Sequence, residues 1–169
     1  MVSSIIKFFT GKEITTYPKN LPRLVLVNRA IIYNSKKQIL LIKRSDKEKF
    51  DKGKWELPGG KLEHDTLISD NLIKEVKEET GLDVKVISNT KYIIQKDLRG
   101  EPGIYNNFVM LDLIEETISL NKKQEIRLGS EHTEYRWVDL QNFKNQEILT
   151  KTTKLLLSKM NNTAKLLIN

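Results

Sequence analysis

The sequence predicts a mixed α/β domain with helices on both sides of a sheet, and three observations carry that expectation. Aliphatic runs of strand length recur between Leu24 and Ile42 and again between Val84 and Ile114. Leu72, Ile73 and Val76 repeat at helical spacing in a segment that ends at Gly81. A final run, Leu155, Leu156 and Leu157 to Met160, again reads as helix. Strands, helix, strands, helix in that order is the pattern of a sheet that helices cover.

Composition sets the outer limits. The chain has 169 residues, enough for one domain with a real core, and its 38% hydrophobic and 30% charged residues are those of a globular protein. There is no cysteine, which excludes a disulfide framework, thiol catalysis and cysteine-based zinc sites. Only His64 and His132 exist, too few for a histidine-rich metal centre. The net charge of +7 could attract polyphosphate or nucleic acid. Its lysines are scattered, however, and no base-reading motif or basic amphipathic helix accompanies them, so nucleic acid is not an expected partner. The apolar piece Ile5-Ile6 and Phe8-Phe9 is broken by Lys7, is too short to span a bilayer and lacks a secretory layout. A cytoplasmic protein without a membrane partner is expected.

Taken in order, residues 1–22 form a leading arm in which Pro18 and Pro22 impose extended or turn structure. The arm supplies an edge strand or a homodimer contact. From Arg23 the pattern is β, through Leu24–Val27 and Ala30–Tyr33; a polar turn and the run Ile39–Ile42 then read as the return of a hairpin. Lys43 and Arg44 end that strand beside a charged loop, Ser45–Lys54. Trp55-Glu56-Leu57-Pro58-Gly59-Gly60 is a turn, in which Trp55 is a packing residue in preference to a substrate stack. Thr66 is placed as a hydroxyl N-cap for the helix, and Gly81 as its left-handed C-cap.

Beyond the helix, Val84–Ile94 is a strand region. Tyr105–Ile114 is a central strand covered on both faces, with Asp112 turning one side polar. Glu115–Arg127 reads as a polar variable loop, and the tail from Leu140 as a helix lying on the sheet.

Chemistry concentrates between Gly59 and Leu82. Glu75, Glu78 and Glu79 stand three and four residues apart on one helix face. At ~5–6 Å and an effective dielectric near 20, each close pair of charges costs roughly 3 kcal/mol. A hard divalent cation with oxygen ligands, magnesium or manganese, relieves that repulsion. Taken alone, the glutamates fit a solvated acidic face better than a metal site.

The glycine turn makes the pattern more specific. Gly60, five residues, Thr66, seven residues, then Lys74-Glu75-Val76-Lys77-Glu78-Glu79-Thr80-Gly81-Leu82 resembles the signature of the Nudix hydrolases, with every gap kept. Thr66 stands where the family has Glu and Lys74 where it has Arg; the lysine keeps the charge but not the guanidinium fork. The resemblance implies a Nudix-type α/β/α sandwich with a mixed sheet over residues 23–169. It also implies a Mg²⁺ or Mn²⁺ site at the Gly60 carbonyl, Glu75, Glu78 and Glu79. The expected activity is cleavage of the pyrophosphate linkage of a nucleotide, MutT-type on a nucleoside triphosphate, with ADP-ribose or a nucleotide sugar as the alternative substrate. A non-catalytic nucleotide-binding module is the alternative of another class, and Thr66 and Lys74 keep it open.

Glu78 or Glu131 is the expected general base, Glu131 lying six residues before Trp137, with Glu134 its competitor. Lys43 and Arg44 are candidate phosphate contacts. Phe50, Tyr105 and Phe108 are aromatic candidates for a base pocket.

Overall fold

The computed structural model describes residues 23–88, 90–97, 108–120, 124–139 and 148–166, the last segment with side chains only as far as Met160. The leading arm and Tyr105 lie outside the described residues. The elements are β1 (Arg23–Ile32), β2 (Ile39–Arg44), β3 (Trp55–Glu56), α1 (Ile68–Thr80), β4 (Val84–Val86), β5 (Tyr92–Asp97), β6 (Phe108–Ser119), β7 (His132–Val138) and α2 (Lys151–Leu166).

Strand β6 is the axis of a mixed sheet. β1 runs parallel to it from Arg23 opposite Phe108 to Ile32 opposite Thr117, while β5 and β4 pair antiparallel with its first and second halves. A second, antiparallel sheet has the order β3-β2-β7. Helix α1 buries Leu72 and Val76 against Ala30, Ile32, Leu40 and Val84. Helix α2 buries Leu156, Leu157 and Met160 against Ile31, Leu41, Ile94 and Ile114. Neighbouring residues of β1 thus face opposite layers, as a helix-covered sheet requires.

Two elements differ from the sequence reading. β1 and β2 meet at one bridge, Tyr33 to Ile39, and then part into different sheets instead of forming a hairpin. The reason is that the glycine turn occupies β1. Asn28 N donates to Gly60 O, Ala30 N to Pro58 O, and Leu62 N to Leu26 O, at 2.8, 2.8 and 3.0 Å. β6 also continues through Glu115–Ser119, read above as loop, because β1 and β4 pair with it there and bury Glu115 and Thr117. The expected strand region 84–94 is present, as β4 and the start of β5.

Helix α1 stops as expected, at Gly81 with φ 73° and its N–H donating to Lys77 O. Its start is different: Leu67 is the N-cap residue with no side-chain cap, and the Thr66 hydroxyl turns to His64 O at 3.4 Å. Two buried asparagines tie down the preceding loop instead. Asn71 binds Lys61 O and Glu63 N, and Asn28 Nδ2 donates to Ile68 O at 2.6 Å. Among the described residues no helix is long and apolar enough to cross a membrane.

Leu72 is fully buried between α1 and the sheet. Leu72→Ala is expected to lower stability by about 2–5 kcal/mol, read as a lower urea midpoint at unchanged slope. A midpoint equal to that of the wild type would contradict the packing of α1.

Candidate active site

The site begins with the two glycines of the turn. Gly59 has φ 134°, and a Cβ there would lie 2.1 Å from Asn28 O, so both backbone and space require glycine. A Cβ on Gly60 would fall 2.3 Å from Glu75 Oε2, which means that the Glu75 carboxylate lies directly on this bare stretch of backbone. The Gly60 carbonyl accepts from Asn28 N and keeps a second lone pair.

Glu79 points inward. Its Oε2 accepts from Gly59 N at 2.7 Å, and only 9% of the residue is exposed. Burial pushes this carboxyl up to about 7, against the opposing pull of His132, the Gly59 N–H and Arg29. Glu75 is also raised, first by burial and then by the charge of Glu78, with Glu63 and Glu131 adding to it while Lys74 opposes. Glu78 is exposed on the same helix, and Glu131 is exposed in the turn before β7, where its carbonyl accepts from Ser45 N.

The structure therefore brings Gly60, Glu75 and Glu79 together and sets Glu78 and Glu131 within electrostatic reach of Glu75. Among the described residues, no three acidic or histidine side chains are already gathered closely enough to ligate one ion. The donors nevertheless suit a hard cation. They are all oxygens, one is a carbonyl with a second lone pair, and Glu75 is raised by burial first and by the charge of Glu78 next.

Other expected residues are engaged elsewhere. Lys43 Nζ pairs with Glu134 at 2.6 Å, which occupies the competitor of Glu131. Arg44 binds Glu56 at 2.6 Å, Glu48 at 3.0 Å and Phe50 O at 3.0 Å. Lys74 pairs with Glu63 at the surface. Trp55 is 4% exposed with the Arg136 guanidinium 4.7 Å above its ring, the packing role expected of it.

Behind the glutamates lies a buried charge network that sequence reasoning missed. Glu56 sits between Arg29 at 3.0 Å and Arg44 at 2.6 Å. Burial pushes its carboxyl up, but Arg29, His132 and Arg44 outweigh that and hold it at about 2. His132 Nε2 lies 3.4 Å from Glu56 and 3.7 Å from Glu79, linking the two carboxylates. Asp112 receives Lys96 at 2.8 Å and Thr152 at 2.9 Å. The available signal was a charged residue inside an otherwise aliphatic strand, as at Arg29 and Asp112.

The sequence matches the family model of the NUDIX domain over residues 25–157. The chain belongs to the Nudix family. This Nudix chain is 28% identical over 120 residues to nucleoside triphosphatase NudI of Escherichia coli, covering 69% of the chain and 84% of that relative. A crystal structure of a MutT protein from Methanosarcina mazei is similar at TM-score 0.71 and 24% identity, over 85% of this chain and 97% of the other. An ADP-ribose pyrophosphatase from Streptococcus suis is similar at TM-score 0.55 and 26% identity, over 81% and 91%. The Nudix chain is a pyrophosphohydrolase with the α/β/α sandwich fold.

The two buried carboxylates give opposite pH dependences. Glu79 is about 7 in the folded protein against 4.5 unfolded, so its contribution is complete below about 4.5 and is lost as pH rises through 7. Glu56, at about 2, contributes above 4.5 and loses its effect as pH falls toward 2. Metal-free wild type should therefore lose on the order of 3 kcal/mol through Glu79 between about pH 5 and pH 8. Glu79→Gln should remove that loss. Urea unfolding in a chelator at both pH values tests this, and an identical pH slope in the variant would contradict it.

Proposed function

We propose that this Nudix hydrolase cleaves a nucleoside triphosphate to a nucleoside monophosphate and pyrophosphate with Mg²⁺ or Mn²⁺ as cofactor. The observation that carries the reading is the Glu75 carboxylate lying on the Gly60 backbone, with Glu78 and Glu131 adding negative charge to the same face. Pyrophosphate resists hydrolysis because its own oxygens repel a nucleophile. When bound, a divalent ion offsets that charge and acidifies a water. Gly60, Glu75, Glu78 and Glu79 are the residues that would hold it.

Exposed Glu78 takes the proton of the attacking water, and Glu131 is the second candidate for that task. No covalent intermediate is needed. Lys43 and Arg44 are the proposed phosphate contacts. An exposed pair such as Lys43 with Glu134 contributes little stability, so exchanging the glutamate for a polyphosphate costs little. Arg44 is held more tightly, by Glu56. The partner is a nucleotide and the setting cytoplasmic.

The named activity of the Escherichia coli relative supports a triphosphate. Likeness to the Streptococcus suis enzyme favours ADP-ribose as the second reading. A panel of nucleotides incubated with Mg²⁺ and followed by phosphorus NMR separates them. Pyrophosphate released from a triphosphate is expected. AMP and ribose phosphate from ADP-ribose would support the second reading, and no product from any nucleotide would leave only a binding module. With the best substrate, Glu78→Gln should lower kcat by about 10²- to 10⁴-fold with an unchanged circular dichroism spectrum. Near-normal turnover would remove Glu78 from the chemistry.

A further inference from the structure

We propose that Arg29 is a positioning residue for this site: its buried guanidinium holds the Leu57 and Gly59 carbonyls, which flank the peptide whose Gly59 N–H grips Glu79. The inference rests on the hydrolytic reading above and adds to it a residue outside the glycine-to-helix signature.

Arg29 lies on β1 with a side chain 14% exposed. Its Nη1 donates to Leu57 O at 3.0 Å and Gly59 O at 3.1 Å, and lies 3.0 Å from Glu56 Oε2. One nitrogen thus serves three acceptors with two hydrogens. On its other side, Nε lies 3.5 Å from Asp112 Oδ1, an ion pair without a hydrogen bond. Glu56 and Asp112 together make burial of the charge tolerable.

Gly59 is therefore held at both ends. Its N–H donates to Glu79 Oε2 on the helix, and its carbonyl accepts from Arg29 on the sheet. At φ 134° few residues other than glycine are at ease, and the backbone has many other conformations open to it. The pairing of Pro58 O and Gly60 O with β1 narrows the choice, and the two opposed hydrogen bonds at Gly59 itself complete it. Among the described residues no other guanidinium donates to the backbone carbonyls of this turn. Lys74, the basic residue of the signature, is spent on Glu63 at the surface. Lysine at 29 would keep the charge but lose the planar group that faces the turn through Nη1 and Asp112 through Nε.

A merely structural Arg29 would affect stability alone, whereas a positioning residue moves the Gly59 amide and kcat. Protein labelled with ¹⁵N-glycine gives at most eight backbone glycine signals, which makes Gly59 readable. Glu79→Gln identifies its peak and the shift that follows loss of the carboxylate. Arg29→Lys is expected to move the Gly59 amide in the same direction and to lower Mg²⁺-supported kcat by about 10- to 100-fold, the usual cost of losing a supporting partner of a metal site. KM should change by less than about threefold, since substrate is not touched.

A Gly59 amide unmoved in Arg29→Lys would overturn the proposal, as would wild-type kcat in that variant. Wild-type protein that turns over no nucleotide would overturn it together with the hydrolytic reading. Should Arg29→Lys fail to fold, the ¹⁵N-arginine side-chain spectrum of the wild type decides. Separate, slowly exchanging Nη signals for Arg29 are expected, and averaged signals would overturn the proposal.

Discussion

One hydrogen bond joins the two halves of the site: Gly59 N to the Glu79 carboxylate, 2.7 Å and buried. It ties helix α1 to a turn that is itself paired along β1 through Gly60 O and Pro58 O. A hydrogen bond of this kind contributes about 0.5–1.5 kcal/mol net. The larger effect is geometric, because the bond places Glu79 behind the turn and leaves Glu75 lying on Gly60. Any side chain at position 59 would collide with Asn28 O and prevent that approach.

Charge is distributed unequally across this junction. On the inner side, acids and bases alternate. Glu56 lies between two arginines, Asp112 contacts Lys96 and Arg29, and His132 stands between Glu56 and Glu79. On the outer side, Glu78, Glu63 and Glu131 add their charge to that of Glu75 while Lys74 opposes, and Lys74 is turned to Glu63. An inner layer of compensated charge is rigid, since breaking any pair strands a buried ion. An outer layer of carboxylates in excess over bases is where the proposed cation would reduce repulsion. Glu79 lies between the layers, and its elevated carboxyl reflects that position.

Much of this was legible in the sequence. The apolar spacing of Leu72 and Val76, the cap at Gly81 and the fixed gaps from Gly60 to Leu82 are local patterns, and local patterns survive folding. The pairing of β1 was not legible as a hairpin or otherwise, because the rival that displaced β2 is a turn about thirty residues away, and only three-dimensional proximity decides between them. Thr66 failed as a cap for a related reason: two asparagines already order that loop from other elements. The buried charges were hidden because a one-letter code shows that Arg29, Glu56 and Asp112 are ionisable, not that they meet. An isolated charge in an aliphatic strand is the local trace that such a meeting leaves.

Occupancy of the acidic face by a divalent ion is the central claim, and manganese electron paramagnetic resonance reads it without turnover. Titrating Mn²⁺ into the protein without nucleotide, which would itself chelate the ion, should convert the free-ion signal to a bound one that added Mg²⁺ displaces. Glu75→Gln should weaken that binding. A spectrum that remains that of the free ion throughout the titration would contradict the assignment of Gly60, Glu75, Glu78 and Glu79 as the metal site.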